Sequence, residues 1–197
     1  MPDEIKIAGE PVNNLTCRFI PDRPLNAGGS LYFDSADKAK GSPLAEKLFA
    51  IHGIKAALIT PHQVTVTKSA RDEWPVIGKQ IGAAIRAQIT SGEAAIDPSL
   101  FARLPPESEI QNRVQRVLDT EIAPAVAAHG GSVELAGVRG NTIFLRMGGG
   151  CQGCGSATAL LKSSVETQLR YAVPEIGEIL DTTDHAAGPN PYYAAAR

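Results

Sequence analysis

The chain has 197 residues, 43% of them apolar and 20% charged, and carries a formal net charge of −2. That balance supports a hydrophobic core and excludes a disordered chain, and the lack of a basic stripe argues against nucleic acid as a partner. No apolar run reaches the roughly 18 residues of a membrane span, so no membrane partner is expected.

The start, Met1-Pro-Asp-Glu-Ile5, is acidic and lacks the basic and apolar regions of a signal peptide. A cytoplasmic location is therefore expected. Three cysteines make no disulfide framework, and in a reducing compartment a Cys-x-x-Cys pair is a metal, cluster or redox site before it is a structural bridge.

In chain order, Thr16–Ile20 and Gly29–Phe33 read as strands around a turn-rich Pro-Asp-Arg-Pro segment, which suits an antiparallel connection. Ser42-Pro-Leu-Ala-Glu46 is a helix start: a capping serine, proline in the first turn and an acidic residue one turn in. Ile54–Ile59 and Gln63–Lys68 are two further strands, the second alternating so that one face is exposed. Trp74–Thr90 is a helix with Ile77, Ile81, Ile85 and Ile89 as its apolar stripe. The order β-β-α-β-β-α implies an antiparallel sheet with helices on one face.

Residues 93–106 contain three prolines and read as a linker. A helix over about Glu107–Ala128 follows, broken or kinked near Pro124 and stopped by His129-Gly130-Gly131. Ser132–Val138 and Asn141–Leu145 form a hairpin. A helix from about Ser156 to Ala172 and a short strand within Ile176–Leu180 complete the pattern. The expectation is an α+β protein of two small domains, residues 1–92 and 107–184, each a short, mainly antiparallel sheet packed with helices. Residues 185–197 form a flexible tail.

The chemistry centres on Met147-Gly-Gly-Gly-Cys-Gln-Gly-Cys-Gly-Ser156. A strand enters this turn and a helix leaves it, so the thiols of Cys151 and Cys154 lie near the unpaired N–H groups and positive end of a helix, which favours the thiolate. Four uses remain open for the pair. Structural zinc needs two more ligands, and His129, the one candidate, reads as an ordinary helix-terminal histidine. A thioredoxin-like dithiol matches the strand–motif–helix order, but no aromatic residue precedes the first cysteine and the upstream unit is a hairpin. An iron–sulfur cluster takes four ligands as a rule, so a second copy of the chain would supply the other two. The last reading is an inert structural pair, at odds with so polar a loop. Cys17, within a strand pattern, reads as a small core residue.

These residues resemble the NifU/Nfu family of iron–sulfur scaffold proteins. Residues 107–181 are similar to its C-terminal domain through Val117-Leu-Asp-Thr-Glu-Ile-Ala-Pro124, His129-Gly-Gly-Ser-Val-Glu-Leu135, Phe144-Leu-Arg-Met-Gly-Gly-Gly-Cys-Gln-Gly-Cys154, Leu160-Leu-Lys162, Val165-Glu166 and Val173-Pro-Glu-Ile176. The first half resembles the Nfu N-terminal domain through Asn14-Leu-Thr-Cys-Arg-Phe19, Ser42-Pro-Leu-Ala45, Ile59-Thr-Pro-His-Gln-Val-Thr-Val66 and the Trp74 helix.

The resemblance implies a homodimer that binds a [4Fe–4S] cluster between two Cys-x-x-Cys motifs and passes it to apo iron–sulfur client proteins, alongside cluster-assembly partners. Cys151 and Cys154 take the metal-ligand role, and no enzymatic activity is implied. Two departures stand out: Gly155 where the family commonly has proline, and Gly148 where it often has a larger residue.

Overall fold

A computed structural model describes residues 4–25, 28–69, 73–149 and 155–183. The chain divides into two units, Met1–Leu104 and Pro105–Arg197. Both combine a small sheet with helices, giving the α+β class that the residue patterns imply.

In the first unit, strands β1 (Ile7–Pro11), β2 (Thr16–Pro21), β3 (Leu31–Phe33), β4 (Ile54–Ile59) and β5 (Val64–Lys68) form an antiparallel sheet in the order β1-β2-β5-β4-β3. The pairing differs from expectation in two respects. β1 is an added edge strand whose residues are almost all exposed, so no buried alternation marks it. β2 and β3, expected as partners, lie apart: β2 pairs with β5, and β3 pairs with β4 at the far edge. A register shift between Ile54 and Ala56 turns Ala56 and Ala57 both inward, as a bulge does when two residues oppose one.

Helix α1 (Pro43–Phe49) starts as its residues predict: Ser42 Oγ accepts from the Ala45 N–H at 3.3 Å, with Pro43 in the first turn. Helix α2 (Trp74–Ser91) buries Ile77, Ile81 and Ile85, but Gln88 is the fourth inward residue and Ile89 is only half-buried. Residues four apart advance about 40° beyond a full turn each time, so a strict i+4 stripe rotates off the core. The Gln88 amide is satisfied there, with Oε1 accepting from Lys47 Nζ at 2.8 Å and Nε2 donating to the Glu93 and Ala94 carbonyls at 3.0 and 3.3 Å.

The segment expected as a linker is largely packed on this first unit. Ala95 and Ile96 are 0% and 1% exposed. The Ala95 carbonyl accepts from Ser42 Oγ at 2.8 Å and from the Leu44 N–H at 3.2 Å. Asp97 caps the short helix α3 (Pro98–Ala102), and Phe101 lies so close over Gly29, at φ 66°, that no side chain fits there. Two buried apolar residues among the prolines outweigh the turn signals, and the segment docks instead of spanning free.

In the second unit, α4 (Glu107–Val117) runs into a π-helical turn (Leu118–Ile122) and then α5 (Ala123–Ala127). Pro124 has no N–H to offer the carbonyl four residues back, and the Ala123 N–H reaches five back to Leu118. The wider turn absorbs the missing bond and keeps Leu118, Ile122 and Val126 on the buried side. Strands β6 (Gly131–Arg139) and β7 (Thr142–Gly149) form the expected hairpin through Gly140, at φ 60°. Helix α6 (Gly155–Ala172) then carries the chain to β8 (Ile179–Asp181), which pairs parallel to β7 through Ile143↔Ile179. Such a pairing requires a crossover, and α6 is that crossover.

Candidate metal centre

Cys151 and Cys154 lie outside the described residues, as do Gly150, Gln152 and Gly153. What is described is the frame. β7 is the central strand of its sheet and runs four residues beyond the Leu145 end expected for it, to Gly149, which pairs with Gly131 on β6. α6 begins at Gly155. The segment 150–154 therefore joins the end of a central strand to the first turn of an 18-residue helix.

Both ends of the frame are anchored. The Met147 N–H donates to Thr183 Oγ1 at 2.7 Å, and the Met147 side chain is 3% exposed. On the helix, Val165 and Leu169, and just beyond it Val173, enter the same core cluster as Ile110, Ile143 and Leu145. Asn141 ties the hairpin to the chain beyond α6, its Nδ2 donating to the Glu175 carbonyl at 3.0 Å. Arg113 on α4 bridges to Glu175 at 2.9 Å and to the Ala172 carbonyl at 3.3 Å. Gly148 faces Ser132 across the hairpin, and a Cβ there would lie 2.6 Å from Ser132 Oγ. The serine side chain thus occupies the space a larger residue at 148 would need.

A charged row missed in the sequence lies beside this frame. Lys162, Glu166 and Arg170 recur four apart on α6, and that spacing was the available signal. Lys162 Nζ pairs with Asp181 Oδ2 at 3.4 Å. Burial pushes the Glu166 carboxyl above the usual carboxylate range and Asp181 pushes the same way, while Lys162 and Arg170 pull against them.

The other two candidates are not brought to this frame. His129 is exposed at the end of α5, where its N–H bonds the Val126 carbonyl and Gly130, at φ 72°, ends the turn. Cys17 is 8% exposed in the core of the first unit, and burial raises its thiol pKa. Among the described residues, no group of three or more His, Cys, Asp or Glu could hold a metal ion. No helix among them is long and apolar enough to cross a membrane.

Comparison with known proteins agrees with the two-part organisation. A NifU-like domain matches residues 114–180, and the scaffold protein Nfu/NifU N-terminal family matches residues 5–92. "NifU-like protein 4, mitochondrial" of Arabidopsis thaliana is 33% identical over 175 residues, covering 83% of this chain and 61% of the relative. "NFU1 iron-sulfur cluster scaffold homolog, mitochondrial" of Homo sapiens is 30% identical over 176 residues, covering 87% and 69%. The chain thus spans about two-thirds of the length of these relatives. The solution NMR structure of a NifU-like protein from Saccharomyces cerevisiae aligns with a TM-score of 0.45 and 21% identity, over 50% of this chain and 91% of that one.

The relatives overturn the expectation of a cytoplasmic location: those of Arabidopsis and Homo sapiens are named mitochondrial. An acidic first few residues was too little to assign a compartment. With both domain families matched in order, and a human relative aligned over most of both chains, the chain belongs to the Nfu family of NifU-like proteins.

Proposed function

We propose that this chain is an iron–sulfur cluster scaffold and carrier. Two copies hold a [4Fe–4S] cluster as cargo between their Cys151 and Cys154 pairs and deliver it to apo-proteins. One observation carries the reading: the two-thiol motif falls, in chain order, between the end of a central strand and the start of a helix, and among the described residues no group of His, Cys, Asp or Glu forms a metal site of its own. The remaining cysteine is buried in the other unit, and a cluster takes four ligands as a rule. Two thiolates are half a site, and a two-fold dimer completes it with identical surfaces.

The helix start favours thiolate over thiol, and glycines on both sides of the cysteines let backbone approach the sulfides closely. Cargo held between two chains is released when they separate, which suits transfer. In this reading the second unit carries the cargo and the first recognises clients or assembly partners. The protein binds and hands over, without catalysis of its own. By analogy with the named relatives, we infer that it works in mitochondria.

Anaerobic reconstitution with iron and sulfide, followed by absorbance and sedimentation, tests this. The expected result is about one four-iron cluster per dimer and a shift from monomer to dimer. Cys151→Ser or Cys154→Ser abolishes the bound cluster and leaves the far-UV circular dichroism unchanged. A colourless monomer after reconstitution, or a cluster that survives in both variants, overturns the proposal.

A further inference from the structure

The first unit contains an open groove of about 480 Å³ that the cluster chemistry does not use. Val12, Asn13 and Asn14 line it from the β1–β2 turn, Lys68 from the end of β5, and Glu73 and Trp74 from the start of α2. Its volume falls in the range of about 300–1,000 Å³ typical of ligand sites.

Lys68 is the informative residue. It follows Val64 and Val66 on the inward side of β5 and is 6% exposed. Its ammonium lies 5.3 Å from the centroid of the Trp74 ring and donates to the carbonyl of its neighbour Ser69 at 3.3 Å. Among the described residues, no carboxylate comes within ion-pair distance of it. An ammonium has three donors, and a cation removed from water without a counter-charge is costly. The tryptophan face offsets part of that cost. The groove leaves room for an anion to offset the rest.

The walls are held in place. Trp74 Nε1 donates to the Asn14 carbonyl at 3.0 Å, and the ring packs beside Phe19. Asn13 Oδ1 accepts from the Leu15 and Thr16 N–H groups, both at 2.9 Å. The Asn14 side-chain amide has no partner among the described residues. Val12, Leu15 and Val76, at 53%, 41% and 59% exposure, are three of the five exposed large hydrophobic residues among those described. Val12 lines the groove, and the other two flank Asn14 and Pro75 in the chain.

We propose that this groove docks an extended peptide segment of a partner protein, one that carries a carboxylate side chain beside an aliphatic one. The carboxylate meets the Lys68 ammonium and accepts from the Asn14 amide, and the aliphatic side chain covers the Val12 rim. Glu73, exposed and without a side-chain cap bond, repels a second carboxylate and so selects an isolated acidic residue over an acidic run. The site lies wholly within the first unit and does not depend on the cluster reading.

Trp74 is the only tryptophan of the chain, so its fluorescence reports on the groove directly. The full chain is titrated with acetyl-Ala-Leu-Glu-Leu-Ala-amide, with the same peptide carrying Gln or Lys in place of Glu, and with N-acetylglutamate alone. The Glu peptide gives a saturable change. The Gln and Lys peptides bind at least about tenfold more weakly, the loss expected for one charge-assisted hydrogen bond.

Lys68→Met weakens the Glu peptide by a similar factor. Val12→Asp does so as well, and at an exposed turn position it tests the location even if the lysine variant fails to fold. Equal affinity for the Glu and Gln peptides overturns the carboxylate assignment. N-acetylglutamate binding as tightly as the peptide overturns the peptide assignment. No saturable signal overturns the site.

Discussion

Leu169→Ala tests how α6 is held on β7, and hence how the cysteine segment is framed. Leu169 is 0% exposed and belongs to the core cluster formed with Ile110, Ile143, Val165 and Ile176. Truncation to alanine in such a site costs the lost burial plus the cavity left behind, about 2.7–5 kcal/mol. A unit of this size is stable by roughly 5–14 kcal/mol, at 0.05–0.15 kcal/mol per residue. The variant therefore folds but gives up a large share of its margin. With a urea slope of about 1.5 kcal/mol per molar, the midpoint of the second unit falls by about 2–3 M.

Two probes follow the unfolding. Far-UV circular dichroism sees both units, while Trp74 fluorescence sees the first unit alone. The dichroism transition of the second unit moves down, and the Trp74 transition stays where it was. A loss of less than about 1 kcal/mol would contradict the close packing of Leu169. A Trp74 midpoint that fell in step would contradict independent cores in the two units.

Ile96→Ala, within the segment that resembles a linker, destabilises the first unit by about 2–4 kcal/mol in the Trp74 transition because Ile96 is 1% exposed; an unchanged midpoint would mean the segment hangs free. Glu166→Gln makes stability less dependent on pH. Burial, with Asp181, holds the folded carboxyl above its unfolded value, so the glutamate's contribution is full below the unfolded pKa of about 4.3 and is lost as pH rises through the folded value. The variant is accordingly more stable than the parent at pH 8 and close to it at pH 4, and a parent that is the more stable at pH 8 would reverse the assignment. Cys17→Ala leaves reconstituted iron content unchanged, and the native Cys17 thiol alkylates slowly at pH 7.5 because burial favours its protonated form; loss of iron in that variant would place a ligand in the first unit.

Local chemistry made many of the elements legible before any contact was known. Ser42-Pro43 announced a helix cap, the alternation of Val64 and Val66 a half-buried strand, and Gly140-Asn141 a hairpin turn, because each depends on neighbours a few residues away. The candidate ligands were legible for the same reason, since two cysteines and their glycines are adjacent in the chain.

What depended on distant residues was not. The exposed strand β1 carries no buried pattern and exists because β2 offers it an edge. Gln88 takes a core position because the loop after α2 supplies the carbonyls that satisfy it, and residues 93–104 dock because Ser42 and Leu44 meet the Ala95 carbonyl. Lys68 reads as the polar end of a strand, and only the fold sets its ammonium over a tryptophan that follows on another element. Sequence by itself determined the kinds of element and the chemistry they can carry. Tertiary structure decided which strands pair and which polar groups are left facing a cavity, because those outcomes are set by partners far apart in the chain.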